Sequence, residues 1–161
     1  MKKVYMYRTV LAGRERIPSL SVVSESDHVI DAIRTSKDVY DVMNELFQID
    51  DLAEEYIYVL SLDARNYIKG VFELGHGSST QCLSSVRDAY KMVLLSGGSH
   101  MILVHNHPSG DVTPSNDDTL LTQRMAKAGN ILDIPLSDHI ICGSRAYFSY
   151  REQLENILTD A

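Results

Sequence analysis

With 161 residues, 44% of them hydrophobic and 23% charged, the chain has ordinary globular composition and enough length for one domain with a real core. No apolar run approaches the roughly 18 residues of a membrane span, and the stretch from Met1 to Arg8 lacks the apolar run of a signal peptide, so a cytoplasmic protein with no membrane contact is expected. The net charge of −7 argues against gripping duplex DNA through an overall basic surface, because phosphate binding draws on Lys and Arg.

Residues 1–24 read as extended pieces, with Gly13 and Pro18 as breakers. Five basic residues lie here (Lys2, Lys3, Arg8, Arg14, Arg16) against Glu15 alone, a local net of +4 against −11 elsewhere, most simply a solvated strand and loop. Segment 36–47 places Val39, Val42, Met43, Leu46 and Phe47 at helical spacing behind Ser36 as a cap. Glu45, Asp50, Asp51, Glu54 and Glu55 then form an acidic stretch. Two β-rich runs, 55–63 and 67–74, separated by Ala64, Arg65 and Asn66, fit an antiparallel hairpin, and Gly75, Gly77, Ser78 and Ser79 are expected to form a loop.

From 83 to 95 the apolar residues Val86, Ala89, Tyr90, Val93 and Leu94 again recur at helical spacing, and Gly97 and Gly98 end that helix. Strand 100–107 carries the run Met101, Ile102, Leu103, Val104, suited to a central position covered on both faces. A Pro/Gly loop leads to Pro114, followed by a helix over 115–128, strands over 135–142 and 145–149, and a closing helix over 150–158. Cys82 and Cys142 are far apart and outside any C-x-x-C pattern, which argues against a disulfide framework and a zinc knuckle; both are expected as buried small residues. Without repeats, linkers or a regular βαβ pattern, the expected fold class is α/β, a mixed central sheet flanked by helices. Residues 1–50 would be an N-terminal extension of strands and a helix packing on a core formed by 51–161.

The chemistry concentrates in His105-Asn106-His107-Pro108-Ser109-Gly110-Asp111-Val112-Thr113-Pro114-Ser115-Asn116-Asp117-Asp118. Residues two apart in a strand share a face, so His105 and His107 aim both imidazoles at one point where the strand ends. The Pro/Gly loop turns the chain back, and a carboxylate in the first turn of the next helix returns to that point. Asp118 is preferred, with Asp111 and Asp117 as rivals. Two nitrogens and an oxygen with a fourth position left to water describe a catalytic zinc site rather than a closed structural one. Such a site needs a carboxylate near the metal to move protons. Glu55, which continues the alternation of Ile57 and Val59, is the expected general base, with Glu54 as runner-up. Zinc would lower the pKa of a water to about 7, Glu55 would take its proton and return it to the departing amine, and Ser115 would donate to the developing oxyanion.

Plainer readings exist for each residue. Ser-x-x-Asp is also a capping-box spacing, so Ser115 and Asp118 could simply start a helix, a role easier to combine with catalysis for Ser115 than for Asp118. Glu55 could be an exposed acid in an acidic linker. His76, in a glycine loop, reads as a solvent-exposed side chain, and His139 as a hydrogen-bonded interior histidine with a secondary chance of supporting the metal shell. His28 and His100 carry no usable pattern, and the nine tyrosines are scattered rather than arranged as a stacking platform.

His105-x-His107, seven residues, Ser115, two residues and Asp118 resemble the JAMM metal motif of JAB/MPN domains. The wording His-Asn-His-Pro-Ser-Gly-Asp followed by Thr-Pro-Ser-Asn-Asp-Asp resembles its RadC-like branch in particular. The resemblance runs from about Glu54 to Tyr150. It implies a cytidine-deaminase-like α/β/α fold, zinc held by His105, His107 and Asp118, and Glu55 in the general-base position. Two departures stand out. Full-length RadC-like proteins carry an N-terminal helix-hairpin-helix region that residues 1–50 are too short and strand-like to contain. The family's His-Pro-Arg-Glu run corresponds here to Leu83-Ser84-Ser85-Val86-Arg87-Asp88, in which only Arg87 is kept as an equivalent.

The leading expectation is a zinc hydrolase of amide or isopeptide bonds acting on a protein or peptide substrate. A second is a DNA-repair-associated accessory module, as the branch is traditionally labelled, with a structural or vestigial metal. A third is a metal-dependent nuclease, although Ser109 and Gly110 break the H-x-H-x-D-H arrangement of metallo-β-lactamase-type nucleases.

Overall fold

The computed structural model describes residues 1–77 and 85–159. Its strands are β1 (Lys2–Ala12), β2 (Ile17–Ile30), β3 (Glu55–Leu62), β4 (Ile68–Gly77), β5 (His100–Asn106), β6 (Leu136–Gly143) and β7 (Ala146–Ser149). Its helices are α1 (Ser36–Phe47), α2 (Val86–Ser96), α3 (Asn116–Leu132), α4 (Tyr150–Gln153) and α5 (Asn156–Thr159), with a 3-10 turn at Ile49–Asp51. One seven-stranded sheet has the order β2-β1-β4-β3-β5-β6-β7. β5 runs parallel to β6 and β1 to β4, and the other pairs are antiparallel. The fold is thus α/β with a mixed sheet flanked by helices.

Strand alternation divides the core into two layers. Tyr58, Leu60, Leu62, Ile102, Val104, Ile140 and Cys142 point to the face covered by α1, where Val39, Val42 and Met43 meet them. Ile57, Val59, Phe72, Met101 and Leu103 point to the other face, beneath Ala89, Tyr90 and Val93 of α2 and Met125 of α3. The run Met101 to Val104 is fully enclosed between β3 and β6, as a continuous apolar strand requires. α1 starts with a capping box in which Thr35, one residue before the expected Ser36, accepts from Asp38 while Asp38 accepts from the Thr35 amide.

Several elements depart from the sequence expectation. Gly75 and Gly77 lie in β4 rather than in a loop, because the ladder with β3 continues through Gly75 opposite Ile57 and Gly77 opposite Glu55. Pro18 does not break the chain: it sits in edge strand β2 opposite Leu11, where its missing N–H costs no interior ladder bond, and β2 continues to Ile30. α3 extends to Leu132. The closing helix is split at Leu154, with α4 capped by the Ser149 hydroxyl. The expected loop residues Ser78 and Ser79, the helix start at Leu83 and Ser84, and Cys82 lie outside the described residues; α2 is described from its cap, Ser85. Cys142 is free and buried. No helix among the described residues is long and apolar enough to cross a membrane.

Candidate metal centre

β5, the loop after it and α3 form a crossover into the parallel neighbour β6, and open α/β sheets bind ligands at the carboxyl ends of such strands. His105 is the penultimate residue of β5 and is completely buried; His107 follows one residue past the strand, its amide held by the Cys142 carbonyl at 2.8 Å. Both stand on the α2/α3 face, opposite in sense to Val104. The loop returns through Gly110, whose φ of +81° suits a glycine and whose amide bonds the His107 carbonyl at 2.9 Å. Gly110 packs against Gly143, where a Cβ would meet the Gly110 carbonyl oxygen at 2.6 Å. The loop is thereby pressed onto the β6–β7 turn and delivers the chain to Ser115, the cap of α3.

His105, His107 and Asp118 bring one ligand atom each within 4.8 Å of one another, the cluster among the described residues that could hold a metal ion. Asp111 and Asp117, the rivals, are outside it. His105 Nε2 lies 3.0 Å from His107 Nε2 and 3.1 Å from Asp118 Oδ1, and His107 Nε2 lies 3.4 Å from Asp118 Oδ2. Ligands about 2.0–2.1 Å from a tetrahedral ion stand roughly 3.3 Å apart, and the two separations about His105 are of that order, so the cluster could hold a metal ion. The Nδ1 of His107 contacts the Asp111 carbonyl at 2.7 Å. A carbonyl can only accept, so that nitrogen carries the proton and Nε2 keeps its lone pair for the cluster.

Asp118 is placed for both of the roles that its spacing left open. Its Oδ2 accepts from the Ser115 amide at 2.7 Å and the Ser115 hydroxyl at 2.6 Å, while its own amide donates to that hydroxyl at 3.1 Å, closing the capping box. Oδ1 is left facing His105. Burial alone would raise the Asp118 carboxyl, but the His105 and His107 imidazoles beside it and the Ser115 hydroxyl outweigh burial and hold the group well below its ordinary value. His107 is raised in turn by the Asp118 carboxylate beside it, against burial, with help from the Asp111 carbonyl and the charge of Glu55. Ser115 thus spends its hydroxyl proton on Asp118 rather than on open space.

Glu55 opens β3. Ile57 pairs with His105, and by strand alternation Glu55 shares the face of Ile57, where its charge acts on His107. Glu54 is exposed and acts on His76 instead. His76 stands opposite Tyr56 in the ladder, stacks on that ring and bonds Glu73 at 2.7 Å, away from the three-residue cluster. His139 is buried directly behind His105, with His105 Nδ1 2.8 Å from its Nε2.

Two residues escaped the sequence reading. Asn106, 1% exposed, points to the opposite face from its histidine neighbours. Its Oδ1 accepts from the Tyr56 amide at 2.8 Å and its Nδ2 donates to the Glu54 carbonyl at 3.0 Å, which clamps the backbone on both sides of Glu55. Thr122, also buried, sits one turn beyond Asp118 and contacts His139. The available signal for both was a polar residue at a position that strand or helix periodicity assigns to the interior.

A model of the RadC-like JAB domain matches residues 33–156. A UPF0758 protein of Thermotoga maritima is 37% identical over 131 residues, 81% of this chain and 58% of the relative. A UPF0758 protein of Chlorobaculum tepidum is 38% identical over 120 residues, 74% of this chain and 53% of the relative. One from Desulfitobacterium hafniense is 35% identical over 132 residues, 81% and 57%. The chain spans about half the length of the curated relatives it matches. With β3 to β7, the His-x-His strand and α3 all inside the matched span, the chain belongs to the RadC-like JAB domain family.

Proposed function

We propose that this domain is a zinc-dependent hydrolase of amide or isopeptide bonds in a protein or peptide, with the ion held by His105, His107 and Asp118 and with Glu55 as general base. The observation that carries the reading is convergence: one ligand atom from each of three residues lies within 4.8 Å of the others, and a carboxylate that is not among them, Glu55, acts on His107 through its charge. A bound divalent ion supplies Lewis acidity there, lowering the pKa of a water to about 7 and polarising a carbonyl. Glu55 takes the proton of the attacking water and returns it to the leaving nitrogen. Asn106 keeps the Glu55 backbone in place for both transfers. In the reaction the Ser115 hydroxyl would exchange its bond to Asp118 Oδ2, which the Ser115 amide also serves, for one to the developing oxyanion, a contribution that reaches about 3 kcal/mol for one well-placed donor. Asp111, Asp117 and Glu54 are exposed acids around the site, which favours a peptide over a polyanionic nucleic acid.

Zinc affinity and hydrolysis are measured for the wild type, His107→Ala and Glu55→Gln on ubiquitin-like conjugates, peptides and nucleic acids. His107→Ala is expected to lose zinc, and Glu55→Gln to keep zinc and lose hydrolysis. A Glu55→Gln protein as active as the wild type, or a wild type that holds zinc no better than His107→Ala, would overturn the proposal.

A further inference from the structure

His105 joins the cluster through Nε2, and that nitrogen has a free lone pair only when the single proton of the neutral ring sits on Nδ1. The reverse arrangement would aim an N–H at Asp118 Oδ1, 3.1 Å away, in the space a cation needs. The groups behind His105 decide between the two. His105 Nδ1 lies 2.8 Å from His139 Nε2, His139 Nδ1 lies 2.6 Å from Thr122 Oγ1, and Thr122 Oγ1 lies 2.6 Å from the Asp118 carbonyl oxygen. Two oxygens at 2.6 Å need a proton between them, and a carbonyl has none to give, so the Thr122 hydroxyl donates to Asp118. Thr122 then accepts from His139 Nδ1–H. His139 Nε2 is left as an acceptor and takes the Nδ1–H of His105.

We infer that the chain Thr122–His139–His105 sets the tautomer of His105 so that Nε2 is presented to the ion, making His139 and Thr122 positioning residues for metal binding; this rests on the metal-site reading above. One helix governs both halves of the arrangement, since α3 carries Asp118 and, one turn later, Thr122. The Tyr150 ring, stacked on His139 at 5.1 Å and 8° between planes, keeps the imidazole in the plane of the chain, and Tyr150 is itself tied to Thr119 of α3 at 2.9 Å.

The test is zinc affinity, by competition with a chromogenic chelator, for the wild type, His139→Gln, His139→Phe, Thr122→Ser and Thr122→Val. A glutamine amide oxygen and a serine hydroxyl preserve the acceptors, so those variants are expected within about threefold of the wild type, while Phe and Val lose about 10- to 100-fold, the usual effect of removing a partner behind a ligand. A packing role predicts the opposite order at position 139, because Phe keeps the stack on Tyr150 and Gln does not. Phe binding zinc like the wild type, or Gln binding as weakly as Phe, overturns the inference. Should His139→Phe fail to fold, the Thr122 pair decides, together with 15N spectra of the zinc-free wild type at alkaline pH: a His105 proton on Nδ1 supports the chain and one on Nε2 overturns it. A wild type that takes up no zinc overturns the metal-site reading instead, and the zinc-free spectra still decide the proton order.

Discussion

Asn106→Leu removes a buried amide without changing the volume of the site much, and its consequences separate along the two faces of β5. The side chain accepts from the Tyr56 amide at 2.8 Å and donates to the carbonyls of Glu54 at 3.0 Å and Leu52 at 3.4 Å. The Glu54 residue is exposed and its carbonyl regains water, but the amide of half-buried Tyr56 loses its acceptor. An orphaned donor costs about 1–3 kcal/mol and each lost bond about 1 kcal/mol net, so a loss of roughly 2–4 kcal/mol is expected. With a urea m-value of about 2 kcal/mol/M, the unfolding midpoint falls by ~1–2 M. In the folded fraction Glu55 loses the clamp on both neighbours, and a displacement near 1 Å costs on the order of 10²-fold in turnover. Zinc affinity should stay within a few-fold, because the histidines project from the other face. The assays are urea unfolding of the zinc-free protein, chelator competition, and hydrolysis of whichever amide substrate the wild type accepts. An unchanged midpoint would show that the clamp is not stabilising. A zinc loss as large as that of His107→Ala would show that the two faces are not separable and would refute the reasoning.

Gly143→Ala places a Cβ 2.6 Å from the Gly110 carbonyl oxygen and forces the loop that carries the Asp111 acceptor of His107 off the β6–β7 turn; zinc affinity and thermal midpoint should both drop, and a variant with wild-type values for both would show that the loop yields freely. His100, half-buried between Ser137 at 2.7 Å and the Asp63 carbonyl at 3.2 Å, has its imidazole lowered by burial. Its folded-state value lies below the unfolded one of about 6.5, so its contribution to stability is complete above that pH and is lost as pH falls from there through the lowered value. Urea midpoints of His100→Gln should therefore decline less than those of the wild type between neutral and mildly acidic pH, and parallel declines would rule this origin out.

The histidine pair was legible because a strand's period of two leaves one geometry for i and i+2, and the apolar run from Met101 to Val104 announced the strand. Asp118 was the preferred carboxylate, but its spacing alone could not decide, since Ser-x-x-Asp satisfies a helix cap and a ligand equally well; Oδ2 closes the cap and also faces His107 while Oδ1 faces His105, a sharing that no spacing rule expresses. Asn106 and Thr122 were opaque for a different reason. Their partners, Glu54 and Tyr56 for one and His139 for the other, are distant in sequence, and a single polar residue in an apolar element looks the same whether it supports a site or merely satisfies itself. β4 misled in the opposite direction: glycine-rich composition speaks for a loop, but the neighbouring β3 supplies ladder partners that override it.

The start of α3 is where these readings meet. Ser115, Asp118 and Thr122 recur at three and four residues and therefore share one face of the helix, turned toward the end of β5. Each is fixed by a different neighbour: Ser115 by the cap, Asp118 by the cap and the histidines, and Thr122 by His139 of β6. A rotation of α3 by about 100°, one residue's worth, would turn Asp118 and Thr122 away from the histidines, while the Ser115–Asp118 cap, internal to the helix start, would turn with them. The capping box fixes where the helix begins and holds Asp118 Oδ2, and the contacts of Asp118 and Thr122 with the histidines fix how that helix start faces the end of β5. Under the proposed function, stability of the helix start and binding of the ion would depend on the same contacts, so capping and ligation need not exclude one another at Asp118, the position where they looked hardest to combine.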